Sequence, residues 1–207
     1  MGTRSREAPG ASGGRPEAPK AALELRAKEH INSSEIKSVS VAIFDVAYNI
    51  IGGGNDGNKQ HVKTKEEADH SLPYMIAVAL LDGQVTPVQY DAKRILKQDV
   101  QGLLHKVTIQ PDKSMSDRFP AEMPCRLDIV LNSGRKLSIE KHDYEGFYTR
   151  PMPWDTVVAK FNSIASLCAS EIQCAAIVDA VANLETNGIG HLTTVLNESF
   201  TKTLAHA

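Results

Sequence analysis

The sequence has little of what several classes of protein require. Its 207 residues contain only three cysteines, Cys125, Cys168 and Cys174, which are too few and too dispersed for a disulfide framework or a thiolate metal cluster. We therefore expect reduced thiols in a reducing compartment and a cytoplasmic location. No apolar run approaches the roughly 18 residues that a membrane span needs. The formal net charge of −2 gives no basic field for nucleic acid.

Motifs for cofactors and metals are also missing. The glycine-rich segment 52–58 lacks both a GK[ST] ending and GxGxxG spacing, which favours a flexible loop over a phosphate-binding loop. The histidines lack HxxxH or HExxH spacing, and the cysteines are wrongly arranged for an iron–sulfur cluster. We therefore expect no metal and no cofactor. The histidines outside the segment discussed below are His30, His61, His105, His142, His191 and His206.

The first 20 residues consist mainly of Gly, Pro, Ala, Ser and Arg. Such a composition buries little apolar surface, so residues 1–20 are predicted to be a disordered tail. The tail lacks the apolar region of a secretory signal. Its arginines leave a mitochondrial presequence as the alternative.

The middle of the chain alternates between helix and strand signals. Residues 21–30 are typical of a short helix, and 36–43 alternate apolar and polar residues as a half-buried strand does. Residues 44–51 either extend that strand or leave it. Further strands are predicted at 105–110, 126–131 and 136–141, the last two joined by a hairpin turn.

A longer helix is predicted between Ser71, a good N-cap, and Asp82-Gly83, a typical helix end, with Pro73 in the first turn. Two short helices should follow, one capped by Thr86 and running through Tyr90, the other capped by Asp99 and running through Leu104. With the strands, these helices predict an α+β fold: a small, mostly antiparallel sheet covered by the helix that begins after Ser71.

The chain ends in helical patterns at 154–169, 170–183 and near 191–196. Neither these helices nor the short helix at 21–30 has an evident partner nearby in the sequence. We therefore expect them to pack on a helical domain outside this chain, or on each other. The predicted organisation is a tail (1–20), a helical remnant (21–35), an α+β domain (36–150) and C-terminal helices (151–207).

The segment 63–83 carries the most chemistry. A charged run ends at Asp69-His70-Ser71, and an apolar helix begins at once, so His70 lies at the positive end of that helix beside Lys63 and Lys65. A histidine donates or accepts a proton near neutral pH. This combination suits an anionic substrate that gains or loses a proton.

The same segment, KTKEEADHSLPYMIAVALLDGQVTPVQY, resembles the MmgE/PrpD family, which includes 2-methylcitrate dehydratases, cis-aconitate decarboxylases and iminodisuccinate epimerases. The similarity continues through FPAEMPCRLDIVLNSGRKL and DYEGFYTRPMPWDTVVAKF, in the same order. AALELR and IFDVAYNIIGGG fit as well. In all, the resemblance covers residues 21–198.

This resemblance implies that the α+β part is the family's smaller lid domain. Family members carry a large all-helical domain before it, share the active site between both domains, and form homodimers at full length. The chain then corresponds to a C-terminal portion, from a truncated gene, a partial gene model or a split protein, and would be inactive alone.

The resemblance also assigns roles to individual residues. His70 matches the family's lid histidine and is the candidate catalytic group. Lys65 and Lys63 either bind substrate carboxylates or are ordinary solvated lysines. Asp69 either orients His70 or caps the helix. Ser71, the N-cap candidate, is a second supporting residue. Arg150, held extended before Pro151, binds substrate or braces the lid against the helical domain.

The function implied is that of a 2-methylcitrate dehydratase-like lyase of propionate catabolism, acting on a small di- or tricarboxylate. Two alternatives stay open. One is a cis-aconitate decarboxylase-like or iminodisuccinate epimerase-like enzyme, although the lid tyrosine of the decarboxylases has no counterpart near Gln110-Pro111. The other is a non-catalytic fragment or a subunit that completes a separate helical partner.

Overall fold

A computed structural model describes the backbone of residues 17–204 and the side chains of residues 17–198. Most of the predicted tail, residues 1–16, lies outside the described residues. The described chain forms two compact units, residues 17–151 and 152–204. The finer domain limits predicted from the sequence stay predictions.

The first unit is built on a four-stranded sheet. Its strands are β1 (Ile36–Ile43), β2 (Val107–Pro111), β3 (Cys125–Leu131) and β4 (Lys136–Lys141). Their order is β2-β1-β3-β4, with β1 and β2 parallel and the other two pairs antiparallel. The predicted α+β class with a mostly antiparallel sheet is therefore confirmed.

Alternation of side chains fixes the register of the sheet. Val39 pairs with Ile129 and Val41 with Leu127, and all four side chains are buried on one face. The hairpin between β3 and β4 turns at Gly134, whose φ of 85° favours glycine. Sequence pattern and turn residue thus agree on the same register.

Short helices surround the sheet. After β1 the chain leaves the strand direction through a π-helical turn at Tyr48–Gly52. Two 3₁₀ turns lie at Ser33–Glu35 and Pro87–Tyr90. The α-helices of this unit are α1 (Ala18–Glu29), α2 (Asp45–Ala47), α3 (Lys65–Asp69), α4 (Leu72–Asp82), α5 (Ala92–Ile95), α6 (Gln98–Leu104) and α7 (Lys113–Ser116).

Helix α4 is the centre of the unit. Every residue from Leu72 to Leu80 is buried, and the helix contacts β2, α1 and α6. A helix that is apolar on all sides is stable in water only when it is covered on all sides. The predicted limits are confirmed: Ser71 caps its start and Gly83, with φ 69°, ends it.

Helix α1 corrects two expectations. It begins at Ala18 rather than near residue 21, and it packs on α4 and on β3 and β4. The expectation that this helix lacks a partner nearby is therefore wrong. Its buried face is mostly alanine (Ala18, Ala21 and Ala22), which allows close packing but gives a weak apolar signal in the sequence.

Two other boundaries differ from the predicted ones. Helix α6 begins after Lys97, so Asp99 lies in the first turn instead of at the cap, where its carboxylate accepts the Val100 N–H at 2.8 Å. Strand β2 begins at Val107, because the backbone at His105 still closes α6.

The second unit is helical. It contains α8 (Trp154–Ala165), α9 (Glu171–Ala182) and the helical stretch α10 (Leu184–Leu204), which is interrupted at Gly188 (φ 75°, ψ 164°). Ser170 caps α9 and forms a reciprocal capping box with Gln173. In the part of the chain that the structure describes, no helix has both the length and the apolar composition needed to cross a membrane.

Candidate active site

His70 occupies the corner between α3 and α4, with its side chain exposed. Its Nδ1 lies 3.0 Å from the carbonyl oxygen of Glu66, one turn earlier. Because a carbonyl oxygen only accepts, Nδ1 carries the hydrogen, and the neutral ring has its lone pair on Nε2. Among residues 17–198 no hydrogen bond engages Nε2, so this nitrogen is available to take a proton from a ligand.

The short helix α3 is held at its start by a capping box. Thr64 Oγ1 accepts the Glu67 N–H at 3.2 Å, and Glu67 Oε2 accepts the N–H groups of Thr64 at 3.0 Å and Lys63 at 2.7 Å. The two backbone hydrogen bonds lower the pKa of the Glu67 carboxyl. The fully buried Ala68 anchors the middle of the helix.

Lys63 and Lys65 lie on the same segment as His70, and both are exposed. Lys65 is the first residue of α3, and His70 directly follows its last. Lys63 meets the capping box through its backbone N–H, which leaves its ammonium group on a mobile stem. The structure therefore brings three of the predicted site residues into one short element.

Ser71 has a structural role. It is fully buried, its hydroxyl donates to the Lys59 carbonyl at 2.6 Å, and its oxygen accepts the Tyr74 N–H at 3.1 Å. Pro73 has no N–H, so only the buried Leu72 N–H is left at the start of α4. The start of α4 therefore does not offer several free N–H groups to a carboxylate. Asp69 is half-buried beside His70.

Arg150 is held by its own loop, which follows β4. Its Nε lies 3.0 Å from Asp143 Oδ1, and its Nη2 donates to the Asp143 carbonyl at 3.2 Å. Thr149 Oγ1 donates to the second carboxylate oxygen of Asp143 at 3.1 Å. These contacts hold the guanidinium group within its own loop, and both predicted roles of Arg150 stay predictions.

The His70 segment and Arg150 are tied to opposite edges of the sheet. The loop before α3 is fixed to β2 and α6, because Gln60 Nε2 donates to the Val107 carbonyl at 2.7 Å and Gln101 Nε2 to the Val62 carbonyl at 2.9 Å. Strands β2 and β4 are separated by three strand spacings, roughly 14 Å. Arg150 is therefore not brought together with the other predicted site residues.

Sequence reasoning missed a polar network beneath α3. Arg94 forms a two-point contact with Asp82, at 2.6 Å from Nη2 to Oδ1 and 2.9 Å from Nε to Oδ2, and Gln89 Nε2 donates to Oδ2 at 3.1 Å. The Tyr74 hydroxyl donates to the Gln89 carbonyl. Burial alone would raise the pKa of Asp82, but the hydrogen bonds from Arg94 and Gln89 lower it. Helix α3 packs on α5 and on the turn Pro87–Tyr90, which contain Arg94 and Gln89. The network therefore stabilises the two elements on which the helix before His70 rests.

No motif marks that network in the sequence. Asp82 and Arg94 lie on different helices, and acid–arginine pairs at such separations are common in any chain. Within residues 17–198 there is also no group of three or more His, Cys, Asp or Glu side chains placed to hold a metal ion.

Most of this chain is similar to known proteins. The family model of the MmgE/PrpD C-terminal domain matches residues 17–186. Cis-aconitate decarboxylase of Mus musculus is 25% identical over 155 residues, covering 74% of this chain and 30% of that protein. Cis-aconitate decarboxylase of Homo sapiens is 27% identical over 130 residues, covering 62% and 26%. The chain thus spans less than a third of the length of these relatives, and it belongs to the MmgE/PrpD family through that family's C-terminal domain.

Proposed function

We propose that this chain is the lid portion of an MmgE/PrpD lyase that removes a proton next to a carboxylate of a small di- or tricarboxylate. One observation carries the proposal. The Nδ1–H of His70 is held by the Glu66 carbonyl, and the ring is exposed on the segment that also carries the exposed Lys63 and Lys65, so that Nε2 is left without a hydrogen bond from the described residues. An imidazole in that state accepts a proton at Nε2 and returns one when charged.

The chemistry divides between carboxylate binding and proton transfer. Lys63 and Lys65 are mobile point charges that suit substrate carboxylates, whose negative charge grows as the adjacent carbon loses its proton. A second group must protonate the leaving hydroxyl in a dehydration. Because the family's active site is shared between two domains, we assign that step to the helical domain of the full-length enzyme.

The substrate we favour is 2-methylcitrate, dehydrated as in propionate catabolism. Decarboxylation of cis-aconitate is the second candidate, since both relatives named above carry that activity in their names. Against it, Gln110 and Pro111 stand where the sequence comparison expects the decarboxylase tyrosine, at the exposed end of β2. An epimerase and a non-catalytic subunit are the remaining alternatives.

The test is turnover measured with and without a helical domain. We expect the 207-residue chain alone to turn over neither 2-methylcitrate nor cis-aconitate. Supplied with the helical domain of a family member, it should gain activity. His70→Ala should then lower kcat by roughly 10²–10⁴-fold, the usual contribution of a general acid–base group.

His61→Ala is the matched control, because His61 is an exposed histidine in the loop before α3 that lies outside the proposed site. It should leave kcat within about twofold of the parent, well below the loss for a general base. Equal activity in the His70→Ala and parent complexes would remove His70 from the chemistry. Turnover by the chain alone would refute the dependence on a helical domain.

A further inference from the structure

The capping box at the start of α3 and the hydrogen bond of His70 at its end belong to one short element. The helix contains only five residues, too few for a stable helix without support at its ends. Thr64 and Glu67 close its first turn, and the buried Ala68 attaches it to the unit. The Glu66 carbonyl, which receives the His70 Nδ1–H, is a backbone group of this same turn.

We propose that Glu67, with Thr64, is a positioning residue that sets the tautomer of His70. The carboxylate of Glu67 holds the turn closed, the closed turn places the Glu66 carbonyl opposite Nδ1, and that carbonyl keeps the hydrogen on Nδ1. Nε2 is thereby kept as the proton acceptor. The inference rests on the proposed function only in giving Nε2 a catalytic task, because the tautomer itself is a property of the chain.

The intrinsic preference of the imidazole ring for the Nε2–H tautomer opposes this arrangement. A histidine in water favours the hydrogen on Nε2, so the Nδ1–H form requires an acceptor that stays in place. Here that acceptor is a carbonyl near the end of a helix, where carbonyl oxygens lack intrahelical partners. If the helix frays, the carbonyl moves and the ring returns to its usual form.

The capping box of Thr64 and Glu67 also positions Lys65. It is the first residue of α3, immediately after the capping Thr64, and its backbone direction is set when Glu67 closes the box. The capping box therefore fixes both a candidate carboxylate-binding group and the candidate base. Loss of the box should separate the two in space without affecting the buried core around α4.

The test reads the tautomer directly. Two-bond ¹⁵N–¹H correlation spectra distinguish Nδ1–H from Nε2–H, and we would record them at about pH 8.5, where histidines of ordinary pKa are neutral. The chain has seven histidines, so the His70 signals are assigned by their disappearance in His70→Gln. We expect His70 of the parent chain to be in the Nδ1–H form.

Glu67→Ala should shift the ratio of the two forms toward Nε2–H by about fivefold, the change that losing one helix cap produces in a local helix equilibrium. Glu67→Gln keeps an oxygen acceptor at the third position of the box and should restore the parent ratio. Thr64→Ser should also retain it, because the hydroxyl is kept.

Glu66→Ala is the matched control. It removes an acid from the adjacent position of the same helix while keeping the carbonyl that receives the Nδ1–H, and no described hydrogen bond involves the Glu66 side chain. Glu66→Ala should leave the tautomer unchanged. An Nδ1–H form that persists in Glu67→Ala would overturn the inference, as would an equal shift in Glu66→Ala.

Failure of this inference and failure of the proposed function give different results. If His70 has no catalytic role, His70→Ala leaves turnover intact although Glu67→Ala still changes the tautomer. If the positioning is wrong, the tautomer is insensitive to Glu67 although His70→Ala still abolishes turnover. Near-ultraviolet circular dichroism of each variant shows that the packed core is retained.

Discussion

The two compact units bury their apolar side chains to very different degrees. Residues 17–151 share one continuous core of buried side chains centred on α4 and the sheet. In the described part of 152–204, the buried apolar residues are Cys174, Ile177 and Ala180. Its exposed large apolar residues include Leu167 at 68% and Ile172 at 84% exposure.

This contrast shows which part of the chain can bury its own apolar side chains. In the first unit the buried side chains of α1, α4 and the sheet form one continuous core, so burial supplies the driving force for folding. Helices α8 and α9 instead border an open groove of about 610 Å³ and keep much of their apolar surface in water. The described residues of this unit therefore leave part of the apolar face of these helices uncovered.

The largest expected effect compares matched truncations in the two units. Leu127→Ala removes a fully buried side chain from β3 and should lower the free energy of unfolding by about 2–5 kcal/mol. Ile172→Ala removes an exposed one and should cost less than about 0.5 kcal/mol. Urea unfolding followed by far-ultraviolet circular dichroism measures both. Similar losses would show that Ile172 is covered in solution and that the contrast is wrong.

The next effect concerns the polar network beneath α3. Asp82→Asn should lower the free energy of unfolding by about 1–3 kcal/mol at neutral pH, because the bidentate contact with Arg94 is lost. Asp179→Asn in the helical unit, where the exposed carboxylate accepts the Asn183 amide at 2.9 Å, should cost less than about 0.5 kcal/mol.

The same pair has a pH signature. The pKa of Asp82 is lower in the folded chain than its ordinary value of about 3.9. Its ionised form therefore stabilises the fold above that ordinary value, and the contribution is lost as the pH falls through the folded pKa. Urea titrations at neutral and acidic pH should show the parent and Asp82→Asn converging in acid. A gap that is the same at both pH values would contradict this.

A smaller effect separates the two serine caps. Ser71→Ala should cost about 2 kcal/mol, since Ser71 both caps α4 and donates to the Lys59 carbonyl. Ser170→Ala, which removes an exposed cap of α9, should cost about 0.5–1 kcal/mol. Thermal unfolding of the two variants gives the ranking, and a larger loss for Ser170 would reverse the comparison.

The last comparison uses the rates at which a thiol reagent labels the three cysteines, and it requires no substitution. Cys168 is exposed and should react first with a thiol reagent. Burial raises the pKa of Cys125 to about 12, so this thiol should react slowest. Cys174 is buried in the sparsely packed unit and should react at an intermediate rate through local opening. If Cys174 reacts as slowly as Cys125, the helical unit is better packed than its exposed residues indicate.

Local signals in the sequence were sufficient for much of the first unit. Ser71, Pro73 and Gly83 each have a conformational reason to mark the limits of α4, and the structure has the limits that they predict. The alternation in β1 and the turn before β4 likewise predicted the strands and the hairpin. Such features depend on neighbours within a few residues.

Features that depend on distant neighbours were not predictable. The alanine face of α1 becomes meaningful only when α4 lies against it. The hydrogen bond from His70 Nδ1 depends on whether α3 forms, and the contact of Arg150 with Asp143 depends on how their loop folds. The candidate site was thus predictable as a segment, whereas the orientation of each side chain required the fold.

The parallel pairing of β1 with β2 has a consequence for how the chain folds. All of the His70 segment lies on the excursion 44–106, which connects these two neighbouring strands. The ends of that excursion meet only when β2 docks, a closure that is slow because it is non-local. The corner that carries His70 should therefore be assembled late, in the same kinetic step that completes the sheet. A chain stalled before that step would keep the hairpin of β3 and β4 and yet lack the folded corner at His70.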